Sequence, residues 1–242
     1  QQESWNFEEL LEGCLIFLKN EGMLEQDNEI IRATELGKMI SSLYIDPLSA
    51  SKIIHGLEKT THVTDMTLLQ LICSTPDMRL LYLRNRDYEI INDYVMNHTV
   101  EFIEVPSPFK QIEYEWFLSE VKTALLLQEW INEKSLEKIV ENYQVGEGDI
   151  YASSDIAEWL MHATLRIASR INPKLEKECA KLEKRIHYGA GSELMELVEI
   201  PNVGRARARK LFKKGYSSRQ KLATANEKQL AGIVGPKIAQ KI

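Results

Sequence analysis

Apolar residues recur at three- and four-residue intervals along most of this 242-residue chain, the periodicity of amphipathic helices. Near the start, Phe7, Leu10, Leu11, Cys14, Leu15 and Leu18 share one stripe, with Asn6 as N-cap, Glu9 three residues on, and a stop at Asn20-Glu21-Gly22. Met23-Leu24-Glu25-Gln26 and Glu29-Ile30-Ile31-Arg32, separated by Asp27-Asn28, predict a short hairpin, after which Thr34 to Tyr44 is helical again. Beyond Pro47 the pattern predicts helices from Ala50 to Lys59, Asp65 to Cys73, Asp77 to Asn97, Glu113 to Asn132, Ser135 to Tyr143, Asp149 to Ile171 and Lys174 to Tyr188. Breaks fall at Pro76, Pro106-Ser107-Pro108, Gly146-Glu147-Gly148 and Asn172-Pro173, where Pro and Gly discourage helix continuation.

The expected fold is therefore mainly α. Helix, hairpin, helix at the start suggests the rear part of a winged helix, and the irregular helix lengths that follow suit a bundle and no solenoid repeat. The last sixty residues carry a short internal duplication. Ile200-Pro201-Asn202-Val203-Gly204 lies between a helix from Glu193 to Glu199 and another from Arg205 to Lys214, and a weaker copy spans Leu230 to Ala239 around Gly235, Pro236 and Lys237.

Composition narrows the class. With 44% hydrophobic and 27% charged residues, only 12 Gly and 7 Pro, the chain is neither collagen-like, nor wholly disordered, nor a multi-span membrane protein. Its longest nearly uncharged stretch, Met39 to Ser51, is broken by Asp46-Pro47 and falls short of the ~20 apolar residues a membrane span needs. Cys14, Cys73 and Cys179 are odd in number and far apart, so the expectation is a reducing, intracellular compartment with no disulfide framework. No basic region leads into an apolar run at the start, so a signal peptide is not expected, and the chain is read as a fragment that begins inside a fold.

The net charge of −6 conceals a division. Residues 1–180 hold 16 Lys and Arg against 31 Asp and Glu, whereas residues 181–242 hold 14 against 5. A basic tail on an acidic body is the arrangement expected when the tail alone meets a polyanion; a solvated lysine-rich face is the plainer alternative.

The tail also carries a candidate site. A tight apolar-Gly turn puts the N-terminus of the following helix beside Gly204, where free backbone N–H groups and the helix dipole favour an anionic oxygen. Arg205, Arg207, Arg209 and Lys210 follow at once, with Lys213 and Lys214 a turn later. The stretch Pro201 to Gly204, with Ala208, Leu211 and Gly215-Tyr216, resembles the helix-hairpin-helix DNA-binding motif. Val203, Gly204, Arg205, Arg207, Arg209 and Lys210 are accordingly candidate DNA contacts, joined by Gly235 and Lys237 of the second copy. Such contacts reach phosphate, giving affinity and salt dependence with little base specificity. On the predicted helix from Asp149 to Ile171, Trp159 shares helical spacing with Asp155, His162 or Ala163, Arg166 and Arg170. That mixture suits base stacking and phosphate pairing, a stacked base being worth ~1–3 kcal/mol; burial of the Trp in the core is the alternative.

Catalytic patterns are missing. There is no Gly-x-x-x-x-Gly-Lys-Ser/Thr loop, and Gly37-Lys38 is followed by Met39. Gly146-x-Gly148 and Gly189-x-Gly191 lack the third glycine of a dinucleotide turn, having Tyr151 and Leu194 there. His55, His62, His98, His162 and His187 show no metal-ligand spacing, and no Gly-x-Ser-x-Gly occurs.

Several longer segments are similar to archaeal Ski2-like DNA helicases of the Hjm/HELQ type: Leu43 to Leu48, Ser74 to Met78, Tyr114 to Ala124, Ala157 to Leu160 and Val203 to Leu211. The resemblance runs through nearly the whole chain in order. It implies the C-terminal part of an ATP-driven 3′–5′ helicase of forked and branched DNA, without its two RecA-like motor domains, active in replication-fork repair and recombination. It further implies three parts: residues 1–48 from the rear of a winged helix, residues 49–188 as a helical ratchet of Sec63-like fold, and residues 189–242 as a helix-hairpin-helix domain that grips single-stranded DNA and restrains or couples translocation. In that family a ratchet helix stacks an Arg and a Trp on bases; the Trp matches Trp159, while the Arg position falls on Ala152, leaving Tyr151 or Arg166 as substitutes.

Expected partners are single-stranded and forked DNA, the parent's own motor domains, and replication or recombination proteins, with no membrane contact. No cofactor is expected in this chain; ATP and magnesium belong to the motor. A monomer is expected, since no heptad pattern persists, in an archaeal cytoplasm, or a nucleus if the source is eukaryotic. Two other classes compete: a Sec63-like module devoted to protein contact, and the accessory region of an RNA helicase.

Overall fold

The computed structural model describes residues 7–28 and 30–242; the expected N-cap, Asn6, and Glu29 of the hairpin lie outside them. Helix α1 (Phe7–Asn20) leads into strands β1 (Leu24–Asp27) and β2 (Ile30–Ala33), which pair antiparallel with Leu24 opposite Ala33 and Asp27 opposite Ile30. Helix α2 (Glu35–Leu43) is capped by Thr34, whose hydroxyl accepts from the Gly37 N–H at 3.1 Å and donates to the Gly22 carbonyl at 2.7 Å. Gly37 is required there, because a Cβ would lie 2.1 Å from the Met23 carbonyl oxygen. Helix and hairpin therefore pack backbone to backbone.

The bundle follows: α3 (Pro47–Lys59), α4 (Asp65–Cys73), α5 (Asn85–Asn97), α6 (Gln111–Ile131), α7 (Leu136–Tyr143), α8 (Glu147–Ile171) and α9 (Glu176–Tyr188). The helix expected from Ala50 starts three residues earlier, at Pro47: Asp46 caps it through the Leu48 N–H at 2.7 Å, and Pro47 occupies the first turn, where its missing N–H costs nothing. The expected helix from Asp77 to Asn97 is shorter than predicted, beginning only at Asn85. Residues 79–84 form an extended strap across α6, whose Thr123 hydroxyl accepts from the Leu81 N–H at 2.9 Å and whose buried Lys122 donates to the Tyr82 carbonyl at 2.8 Å. Lys122 also pairs with Asp87 at 2.6 Å. Burial opposes ionisation of Asp87, but hydrogen bonds from Lys122 and the Arg84 N–H outweigh it and hold the carboxyl below its usual range. Long-range bonds thus captured an apolar run that local periodicity assigns to a helix.

Five short helices complete the chain: α10 (Met195–Val198), α11 (Arg205–Lys213), α12 (Arg219–Ala223), α13 (Glu227–Val234) and α14 (Pro236–Ala239). The apolar side chains form two cores. One runs from Met23 to Ile186 and joins the hairpin and α2 to the bundle through Met23, Ile40 and Ile45. The other runs from Ala190 to Ala239 and includes Leu194, Leu197, Val203, Ala208, Leu211, Leu222 and Leu230. Gly189, the left-handed C-cap of α9 (φ 58°), stands between them. A Cβ there would lie 2.5 Å from the Trp130 ring, so only glycine fits this junction. Among the described residues no helix is long and apolar enough to cross a membrane.

One carboxylate makes bundle stability pH-dependent. Glu120 of α6 accepts from Gln70 at 2.8 Å, and burial raises its pKa to about 7 from an ordinary 4.5, with Lys52 and the Gln70 bond opposing the rise. The folded chain prefers the acid form, so wild-type stability falls as pH climbs from the unfolded value through about 7. The full loss is about 3 kcal/mol on the linkage relation. Denaturant unfolding of Glu120→Gln is expected to show a gain over wild type at pH 8 that shrinks toward pH 5; a pH-independent difference would contradict this assignment.

Candidate nucleic-acid interface

The turn before α11 is held from behind. The Val203 N–H donates to the Ile200 carbonyl at 3.0 Å, Asn202 adopts a left-handed conformation (φ 67°), and the Val203 side chain is buried. Gly204 is the N-cap and supplies no side-chain cap. Its carbonyl accepts from the Arg207 and Ala208 N–H groups at 2.9 and 3.0 Å, while the N–H groups of Gly204, Arg205 and Ala206 have no acceptor among the described residues. Gly204 has an ordinary φ of −73°, and a Cβ on it would meet nothing within 4 Å. The fold does not need glycine at this position. What its small size leaves is open space in front of three unpaired amides at the positive end of a nine-residue helix.

The basic residues that follow divide into two sets, which corrects the expectation that all of them surround that space. Arg205 turns inward: its guanidinium carbon lies 4.0 Å from the centre of the Trp130 ring and its Nη1 is 3.4 Å from the Gly189 carbonyl. Burial there pushes the Arg205 pKa down. Arg209, one turn on, donates Nε and Nη2 to Glu133 at 2.8 and 2.6 Å and Nη2 to Glu193 at 2.5 Å. These bonds raise the Arg209 pKa and lower that of Glu193. Glu133, which also accepts the Gly191 N–H at 2.9 Å, thereby ties α11, the α9–α10 linker and the end of α6 together. Arg207 and Lys210 lie on the other face and are exposed, as are Lys213 and Lys214. Arg207 reaches back over the turn, its Nη1 donating to the Asn202 carbonyl at 3.1 Å.

The second copy is a poorer anion site. Gly235 has φ 91° and is half-buried, the first residue of α14 is Pro236, which has no N–H, and the helix is one turn long. Lys237 is exposed.

On α8, Ala152, Trp159 and Arg166 are seven residues apart and so lie on one face. Arg166 and Ala152 are exposed; Trp159 is half-buried, and its indole N–H donates to the Leu43 carbonyl at 3.0 Å. The Trp therefore packs α8 against the end of α2 while part of the ring remains open. Tyr151 is 46% exposed and stands edge-on to Trp130, ring centres 5.6 Å apart. His162 and His187 pair across α8 and α9 with Glu183 and Glu158 at 2.8 and 2.9 Å. Among the described residues no three His, Cys, Asp or Glu side chains cluster as metal ligands do.

Two residues that organise this surface, Trp130 and Glu133, escaped the sequence reading. Trp130 lies in an apolar run indistinguishable from core, and Glu133 follows the end of a helix, where a charge is unremarkable.

Residues 66–189 match the archaeal helicase domain 4 family. The chain belongs to that family. Residues 194–242 match the SAM-like tandem helix-hairpin-helix family, and the two matched segments meet where the two apolar cores separate. The ATP-dependent DNA helicase Hel308 of Methanocella arvoryzae is 42% identical over 96% of this chain, which covers 33% of that protein. Hel308 of Caldivirga maquilingensis is 33% identical over 91% of the chain and covered over 31% of its own length. For Hel308 of Thermococcus kodakarensis the figures are 33%, 88% and 19%. The chain thus spans a third or less of these relatives, and it corresponds to an accessory region of such a helicase.

Proposed function

We propose that this chain grips single-stranded DNA for an ATP-dependent 3′–5′ DNA helicase of forked and branched structures, restraining or coupling translocation during fork repair and recombination. The observation that carries this is the uncapped start of α11: three unpaired amides behind a glycine the fold does not require, with Arg207 and Lys210 exposed beside it. A phosphate satisfies all of these groups at once. In this proposal residues 1–48 are the rear of a winged helix, residues 49–188 the ratchet and residues 189–242 the DNA-gripping tail. Trp159 and Arg166 offer a second contact along α8, Trp159 through its ring face because its N–H is already used. The chain has no phosphate loop, so ATP and magnesium belong to the motor domains of the parent protein.

Two apolar faces suit docking of those motor domains. One is the stripe Phe7, Leu10 and Leu11 on α1; the other is a groove of ≈530 Å³ between residues 80–85 and α6, where Tyr82, Ile112 and Trp116 are 81, 76 and 62% exposed. The test is fluorescence anisotropy with single-stranded, duplex and forked DNA and matched RNA across a range of salt. The proposal expects salt-sensitive binding that favours single-stranded or forked DNA. No binding at low salt overturns it and leaves a protein-contact module; preference for RNA moves the assignment to an RNA helicase.

A further inference from the structure

The groove between residues 80–85 and α6 holds more than apolar area. Three rings line it from three segments: Tyr82 on the extended strap, Tyr88 in the first turn of α5 and Trp116 on α6. None of the three is engaged with another ring or with a cation among the described residues. Glu115, one position before Trp116, lines the same groove and is exposed. One of its carboxylate oxygens accepts from the Gln111 side chain at 2.9 Å, and the other has no hydrogen-bond partner among the described residues. Arg84, the cation in the lining, commits its guanidinium to the side chain and carbonyl of Gln144, just beyond α7.

Aromatic rings without a partner beside an open carboxylate are surroundings that favour a cation. The same carboxylate disfavours phosphate, and so does the acidic body, with 31 Asp and Glu against 16 Lys and Arg in residues 1–180. We propose that the groove is a docking site for a basic segment of a second protein, seating an arginine or lysine side chain against the rings of Tyr82 and Trp116 with its charge on Glu115. The exposed Ile112 side chain at the rim offers apolar surface to the methylene stem, which long basic side chains bury while the charged head stays at a polar group. The strap wall is pre-formed, its Tyr82 carbonyl held by buried Lys122 at 2.8 Å and its Leu81 N–H by Thr123 at 2.9 Å, so little order has to be imposed when a side chain enters. This docking is independent of the proposed grip on DNA. The motor domains, which the groove's apolar area alone suits, are the competing occupant.

The experiment follows the Trp116 indole N–H signal of the 15N-labelled chain, and the anisotropy of a fluorescein-labelled probe, during titration with a peptide of alternating leucine and arginine. A second peptide carries citrulline, the uncharged isostere, in place of each arginine. Because Glu115 and Trp116 are exposed, Glu115→Gln and Trp116→Ala should fold as wild type, which thermal unfolding checks. The arginine peptide is expected to shift the Trp116 signal and to bind more tightly than the citrulline peptide; Trp116→Ala should weaken it about 2- to 30-fold, the range of one cation–aromatic contact, and Glu115→Gln should weaken it and flatten its salt dependence. Anisotropy with single-stranded DNA should be the same for Trp116→Ala and wild type, so loss of either reading leaves the other intact. Equal binding of the two peptides, or binding of the arginine peptide that Trp116→Ala leaves unchanged, overturns the proposal, the latter because attraction to the acidic body then accounts for it. A Trp116 signal that no peptide moves also overturns it. Loss of peptide binding in the whole parent helicase overturns it too, because the motor domains then fill the groove.

Discussion

Replacing Arg207 with glutamate is expected to weaken binding to single-stranded DNA by at least about tenfold and to lower the slope of log affinity against log salt by about 0.7–1, the signature of one lost phosphate contact on a single strand. Arg207 is exposed and its one protein partner is the Asn202 carbonyl, so stability should stay within about 0.5 kcal/mol of wild type. The loss should be similar for all sequences, since a phosphate contact carries no base information. Gly204→Ala probes the same place without charge: the new methyl meets nothing in the fold but stands in front of the amides. Weaker binding with unchanged thermal stability is the expected pair of results. An unchanged salt slope for Arg207→Glu would remove Arg207 from the interface.

Arg209→Ala should do the reverse. Its guanidinium is held by two bonds to Glu133 and one to Glu193, and the Glu133 side chain is only 13% exposed. Truncation leaves that carboxylate with the Gly191 N–H as its remaining partner among these bonds, and losing charge-assisted hydrogen bonds to a mostly buried group costs about 2–3 kcal/mol. In a chain of this length that lowers the unfolding midpoint by roughly 5–10 °C. The salt slope for DNA should not move, because Arg209 faces the bundle and releases no counterion. Thermal unfolding and salt titration of both arginine variants together separate the two roles. An Arg209→Ala chain with wild-type stability and a reduced slope would contradict the division of the arginines drawn here.

That division was not legible in the sequence. Arg205 lies three residues before Ala208, but Arg207 lies four before Leu211, and these are the two residues α11 buries, so helical spacing alone does not tell the inward arginine from the outward one. Invisible were the partners: Trp130 and Glu133 stand more than seventy residues upstream, and neither composition nor periodicity brings them to α11. The helices themselves were readable because apolar positions at three- and four-residue spacing must be buried. The helix predicted from Ala50 begins earlier, at Pro47, because Asp46 caps it. Residues 79–84 are extended because Thr123 and Lys122 claim their backbone groups, a long-range competition that local propensity does not register. Trp159 is half-buried, its indole N–H donating to the Leu43 carbonyl, so its packing role is visible in the fold and its stacking role is left to the binding measurements.

The most direct test of the anion seat is the backbone amide spectrum of the 15N-labelled chain during titration with a single-stranded oligothymidylate. The account predicts that the Gly204, Arg205 and Ala206 amides shift first and farthest, in proportion to occupancy, with the Arg209 and Glu133 signals nearly still. Binding that leaves those three amides unmoved while shifts gather elsewhere would contradict it.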